Sequence, residues 1–153
     1  MTVTDATAKA FFSSPKFAVV GASTNTEKFG YKVFKWYTDR SLPATPINPQ
    51  AAPLTVNGQS YAAIKSLSEL DSPQETSVSI ITGPAITLKT LQEAKDLGIQ
   101  AVWLQPGTFN DEVLAYANEN FKTVVAGKGG STVGGEGWCV LVDGDRCLKG
   151  ARL

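Results

Sequence analysis

The residues best placed for chemistry in this chain are small and rich in exposed backbone rather than acidic or basic. Gly21-Ala22-Ser23 follows the apolar run 17–20 and leads, through Lys28, into a helical pattern that opens near Gly30 and Tyr31. A glycine at such a turn lets a ligand approach the main chain, and Ser23 offers a hydroxyl. The first turn of the following helix presents N–H groups with no partner inside the helix, at the positive end of its dipole. Lys28 and Lys32 add mobile cations. Together these features suit a pyrophosphate. A purely structural role for Gly21 and Gly30, allowing a tight turn and close helix–strand packing, is the alternative.

Three further loops share this character: Asn48-Pro49, Thr82-Gly83-Pro84 and Gln105-Pro106-Gly107. Each ends an apolar run and none carries a catalytic acid or base. In an open doubly wound sheet, ligands sit beyond the carboxyl ends of the strands, so these loops form a surface made for binding. A dinucleotide such as NAD calls for G-x-G-x-x-G and an acidic residue after the second strand. Here the turn is Gly-Ala-Ser, and the second strand ends in Asn48-Pro49-Gln50.

Other chemistries are closed off by composition. The chain has no histidine, so triads with an imidazole base and phosphohistidine chemistry are excluded within it. Two cysteines, Cys139 and Cys147, are too few for a disulfide framework and lack a zinc ligand set nearby. Lys plus Arg total 14 and balance 14 Asp plus Glu, which gives no field favouring nucleic acid or an anionic membrane. The first 14 residues lack a basic stretch followed by an apolar run, and no window approaches a membrane span, which predicts a cytoplasmic protein.

The elements that must position these loops read as one α/β domain over 1–153, with an N-terminal helical segment within 1–14. The patterning predicts a helix over 4–12 with Thr4 as cap, then strands at 17–20, 45–47, 78–81, 101–104 and 123–126. Helical faces separate them: Tyr31, Phe34 and Trp36-Tyr37; a helix from Pro84 closed by Gly98; and one capped by Asn110. Asn57-Gly58 predicts a hairpin turn in a small flap, and Ser66 caps a short helix through Leu70. Asp143-Gly144 predicts the turn of a last hairpin after the glycine-rich tract 127–137. The expected architecture is a Rossmann-like doubly wound parallel sheet of about five strands in three αβα layers, ordered 3-2-1-4-5, with a C-terminal hairpin addition. Trp36, Trp103 and Trp138 are expected in the core rather than as stacking platforms for bases.

Four segments in order carry a resemblance: V-V-G-A-S at 19–23, I-N-P at 47–49, A-V-W-L-Q-P-G at 101–107 and D-R-C at 145–147. From about Phe17 onward the chain resembles the CoA-binding domain family, stand-alone relatives of the N-terminal domain of the succinyl-CoA synthetase α subunit. The resemblance implies that Gly21, Ala22 and Ser23 line a CoA pyrophosphate and that Asn48 and Pro49 border the ribose phosphate region. It also implies that Thr82, Gly83 and Pro84 face the nucleotide, with Gln105, Pro106 and Gly107 toward the pantetheine arm.

The chain departs from the family in two places. A lysine often follows Asn-Pro in the family, whereas Gln50 stands here, leaving Lys28 or Lys128 as the cation for a 3′-phosphate. The segment 127–144 is inserted before D-R-C and reads as a hairpin connector or a ligand-covering lid. Cys147 is read either as a packed cysteine or as a partner for thiol exchange with CoA, activated by Arg146 and Lys149. The expected function is binding of CoA or an acyl-CoA through its nucleotide end, as a carrier, sensor or regulatory module without chemistry of its own. An NAD(P)-dependent oxidoreductase and a CoA-binding subunit of a larger acyl-CoA ligase are the alternatives. A monomer or a homodimer formed through exposed aromatic residues such as Tyr37 is expected.

Overall fold

Apolar runs of four or five residues, each followed by a helical pattern, build a parallel sheet that helices cover on both faces. The computed structural model describes residues 3–127 and 137–151. In chain order they form α1 (Asp5–Phe12), β1 (Lys16–Val20), α2 (Phe29–Asp39), β2 (Ala44–Ile47) and a hairpin, β3 (Leu54–Val56) with β4 (Gln59–Tyr61). Two short 3-10 turns lead to β5 (Thr76–Ile80), α3 (Pro84–Asp96), β6 (Ala101–Leu104), α4 (Asp111–Asn120), β7 (Thr123–Val125) and α5 (Val140–Ala151).

The main sheet runs β2-β1-β5-β6-β7, with every pair parallel. Counting only its strands, the order is 2-1-3-4-5 rather than the expected 3-2-1-4-5. Beyond β2 the edge is already occupied, because Ile64 bridges Ile47 in parallel. β5 therefore pairs with β1 on its other side, aligning Phe17 with Ser77 and Val20 with Ile80. Crossovers run one way from β1 and the other way from β5, so the crevice of the sheet opens between the carboxyl ends of these two strands.

Alternation along the strands separates two cores. Phe17, Val19, Trp103 and Val125 face α1, α2 and α5, joined by Phe11, Phe12, Trp36, Tyr37 and Trp138. Ala18, Val20, Ile80, Val102 and Leu104 face α3 and α4, where Leu91, Ala94, Val113 and Ala117 meet them. The first core is mainly aromatic: Trp103 lies edge-on to Phe11 at 5.5 Å and to Trp138 at 6.0 Å between ring centroids. Two serines of β5 enter this face only with partners. Ser77 donates to the Phe11 carbonyl at 2.7 Å, and Ser79 pairs with the Tyr37 hydroxyl at 2.7 Å. Tyr37 is fully buried there, its phenol pushed up by desolvation, so it does not offer the exposed aromatic surface expected for a dimer.

The C-terminal hairpin is corrected: the residues read as its turn lie within α5. Val140, Asp143, Gly144 and Cys147 are buried at the three- and four-residue spacing of one helix face. The Asp143 carboxylate accepts the Cys139 N–H at 3.2 Å at the start of that helix. Gly144 packs on the Trp36 ring, where an added Cβ would come within 2.5 Å of the Cζ2 carbon. Smallness at a helix contact, rather than a turn conformation, explains this glycine. Most of the glycine-rich tract, including Lys128, lies outside the described residues. Its flanks are joined, because the Trp138 N–H donates to the Gly127 carbonyl at 2.9 Å.

Ion pairs clip α5 to its neighbours. Arg146 grips both Asp5 carboxylate oxygens with Nε and Nη2, at 3.0 and 2.9 Å, and Arg40, at the C-cap of α2, reaches Asp145 with a 2.8 Å bond from Nη2. These guanidinium groups hold the Asp5 and Asp145 carboxyls below their usual range. A carboxyl depressed on folding stabilises the fold above its unfolded pKa and loses that contribution as pH falls through the folded value. Thermal melts should therefore show wild-type stability declining below about pH 4, with a shallower decline in the Asp5→Asn/Asp145→Asn double variant.

Candidate functional site

The turn after β1 is fixed from both sides. Gly21 and Ala22 donate their N–H groups to the Ile47 carbonyl of β2, at 3.0 and 3.2 Å, while Ile81 donates to the Val20 carbonyl at 2.9 Å. Gly21 takes a φ of +94°, and a Cβ there would stand 3.1 Å from the Ile81 carbonyl group. The first turn of α2 closes on this backbone. A Cβ on Gly30 would overlap the Gly21 carbonyl oxygen and lie 3.1 Å from the Ser23 nitrogen. No other residue type fits that contact without moving main chain.

The helix that makes this contact starts open. Lys28 at its N-cap makes no side-chain cap bond and the first turn has no acidic residue. Among the described residues, the N–H groups of Ser23, Phe29 and Gly30 find no acceptor. The Ser23 hydroxyl accepts from the Asn25 N–H at 3.1 Å, and the Asn25 carboxamide from that of Glu27 at 3.0 Å, so the loop is stitched by its own side chains. α3 also starts without a side-chain cap, at Gly83-Pro84. By contrast, Thr4 caps α1 and Asn110 caps α4, the latter through a 2.9 Å bond from the Val113 N–H. Both α2 and α3 start beside the crevice, where an anion can take the place of a cap.

Three hollows meet around this turn. One of about 460 Å³ lies along Ser23, Lys28, Phe29, Gly30 and Ile81. A second, of about 150 Å³, runs from Ala22 and Ser23 to Asn48, Pro49 and Gln50. A third, of about 160 Å³, is walled by Val20, Ile47, Pro49 and Ile86, with Lys65 and Glu93 also on its lining. Gly21 borders the first and third, Ser23 the first and second, and Asn48-Pro49 the second and third, which makes one branched cleft. Its centre is neutral backbone, Lys28 stands with Glu27 on the first branch and Lys65 with Glu93 on the third, and that third branch is otherwise largely apolar.

The model of the family described as CoA binding domain matches residues 15–134. The chain belongs to the CoA-binding domain family. Over 97 residues it is 28% identical to the alpha subunit of an ADP-forming acetate–CoA ligase of Pyrococcus furiosus, a stretch that is 61% of this chain and 21% of that subunit. The chain thus spans about a fifth of that curated relative. Among solved structures, it resembles a conserved hypothetical protein of Pyrococcus furiosus, with 26% identity and a TM-score of 0.61 over 69% of this chain and 86% of that one. A hypothetical protein of Pyrococcus horikoshii shares the fold at a TM-score of 0.68 and 24% identity, covering 80% and 83% of the two chains.

In this CoA-binding domain Gly21, Ala22, Ser23, Lys28, Gly30, Asn48, Pro49 and Thr82 all line the cleft. Gly83 and Pro84 begin α3 next to Thr82, whose hydroxyl is paired with that of Thr87 at 2.8 Å. The Asn48 carboxamide is occupied in both directions by the main chain of Ala52, at 3.0 and 2.8 Å. Tyr31 is buried and donates its hydroxyl to the Thr55 carbonyl at 3.1 Å, tying α2 to the hairpin. Gln105 is buried as well: its amide donates to the Cys139 sulfur at 3.3 Å, and its oxygen accepts the Val140 N–H at 2.9 Å. Its side chain is spent on holding the start of α5, and Pro106 and Gly107 follow outside the three hollows. Phe29, Ile81, Lys65 and Ile86 also line the cleft, although the loop signatures did not point to them. Among the described residues there is no cluster of possible metal ligands, and no helix is long and apolar enough to cross a membrane.

Cys147 lies in the aromatic core. Burial pushes its thiol up, and although the Arg146 charge acts in the expected lowering direction, desolvation outweighs it. Cys139 is partly exposed. A thiol reagent under native conditions should therefore label Cys139 first and reach Cys147 only as the fold opens, which peptide mass spectrometry over time would read. Substituting Gly30→Ala should lower stability by about 2 kcal/mol or more, despite the better helix propensity of alanine, because backbone must shift. Calorimetry would register this as a fall in Tm of at least about 4 °C.

Proposed function

We propose that the cleft holds CoA or an acyl-CoA by its nucleotide and pyrophosphate end. The observation that carries this reading is the uncapped start of α2, with its unpaired N–H groups pressed against the Gly21 turn. A pyrophosphate that accepts the N–H groups of Phe29 and Gly30, with Lys28 beside it, completes the helix terminus in the way an acidic cap would. The adenosine then extends toward Asn48 and Pro49. Its base enters the apolar branch between Pro49 and Ile86, alongside Thr82-Gly83-Pro84. The pantetheine arm leaves in the direction of the Pro106-Gly107 backbone.

On this reading residues 1–153 act as one binding unit, a carrier, sensor or regulatory module whose loops hold the ligand without transforming it. The likeness to part of an acetate–CoA ligase subunit supports a second reading, in which the chain supplies CoA binding to a larger acyl-CoA ligase. A nicotinamide dinucleotide is a poorer fit, because the residues after β2 are Asn48-Pro49-Gln50 and none of the three is the acidic residue that holds ribose hydroxyls at that strand end.

Thermal shift with CoA, acetyl-CoA, dephospho-CoA, ADP, NAD and NADP separates these readings. A ligand at about 100 times its Kd adds about 2.7 kcal/mol, a shift of several degrees in a domain this size. CoA and acetyl-CoA should stabilise the protein, and a response to NAD or NADP without one to CoA would overturn the proposal. Recovery of a stoichiometric ligase subunit in a pull-down would favour the second reading over the stand-alone module.

A further inference from the structure

In a sheet of this kind the ribose of a bound nucleotide lies at the carboxyl end of the second strand. In the site proposed above, on which this inference rests, that strand end is electrically neutral: Ile47 is followed by Asn48, Pro49 and Gln50. A phosphate on the ribose, as CoA carries, would find no cation along the strand itself. Lys28 does not serve, because it lines the hollow on the pyrophosphate side and neither of the two bordered by Asn48 and Pro49.

The sheet brings a different cation to this place. Ile64 forms a parallel bridge with Ile47, secured by the Asn48 N–H on the Ile64 carbonyl and the Ile64 N–H on the Pro46 carbonyl, both at 3.1 Å. The residue after Ile64 is Lys65, so the register that aligns Ile64 with Ile47 carries Lys65 alongside Asn48. Lys65 is exposed and lines the same hollow as Gly21, Asn48 and Pro49.

The charges around it leave the ammonium available. Glu69 accepts the Lys65 main-chain N–H at 2.9 Å, and Glu93, which shares the hollow, accepts the Leu67 N–H at 3.2 Å. Among the described residues, Lys65 enters no salt bridge. Glu93 projects from α3, so an anion in this branch belongs on the opposite wall, beside Asn48. We propose that Lys65 supplies the cation that reads a phosphate on the ligand's ribose, and so makes this site prefer CoA to dephospho-CoA.

The test is a ligand cycle by isothermal titration at fixed low salt, with CoA and dephospho-CoA against wild type, Lys65→Ala, Lys65→Arg and Lys28→Ala. Wild type should bind CoA up to about fivefold more tightly than dephospho-CoA, the upper end of what one exposed ion pair contributes. Lys65→Ala should erase that preference by weakening CoA alone, Lys65→Arg should keep it, and Lys28→Ala should weaken both ligands in parallel. Equal affinities in wild type, or a Lys65→Ala variant that leaves the preference intact, overturns the role of Lys65 while CoA binding stands. If wild type binds neither ligand, the CoA reading itself fails and this inference falls with it.

Discussion

The first turn of α2 touches the Gly21 carbonyl through Gly30, and a side chain at that contact would displace main chain. The contact fixes the distance between a helix terminus and a strand terminus, and the rest of the site inherits it. It brings the open N–H groups of α2 beside the turn that β2 and β5 hold in place. It also sets the angle at which α2 lies on the sheet, with Phe34, Trp36 and Tyr37 directed into the aromatic core. The shape of the cleft and the packing of the core thus depend on the same pair of glycines.

Polar capacity is distributed unevenly over the molecule, and the pattern has a physical logic. Away from the crevice, most buried polar groups of the described residues are satisfied within the chain, Trp36 Nε1 excepted: Thr4 and Asn110 cap their helices, Ser77 and Ser79 find partners under the helices, and Gln105 is consumed by the start of α5. At the crevice, the starts of α2 and α3 have no side-chain cap, and Lys28 and Lys65 enter no salt bridge among the described residues. Leaving a helix terminus open costs stability unless water or a ligand occupies it. Concentrating that cost at one place means that an anion bound there, as proposed, would recover it.

Features governed by neighbours in sequence were legible from the sequence. The five apolar runs became the five parallel strands, Asn110 became a cap, and Asn57-Gly58 formed the hairpin turn, with φ of +52° and +80° as a two-residue turn requires. Features decided at long range were not. The strand order depends on Ile64 occupying the edge beside β2, and Gly144 answers to Trp36, more than a hundred residues away in the chain. Gln105 and Tyr31 sit in loops or faces with the right signature, yet their side chains turn inward to hold α5 and the hairpin. Lys65 escaped for the same reason, since only the bridge to Ile47 brings it to the cleft.

The bond between Gly127 and Trp138 makes the chain leave the end of β7 and rejoin the core at nearly one point. A segment whose two anchors are already together can change in length at little cost, about 0.6 kcal/mol for each doubling. This position is therefore where the fold can be opened for a graft, such as a reporter peptide or a second module, while β7, Trp138 and α5 keep their places.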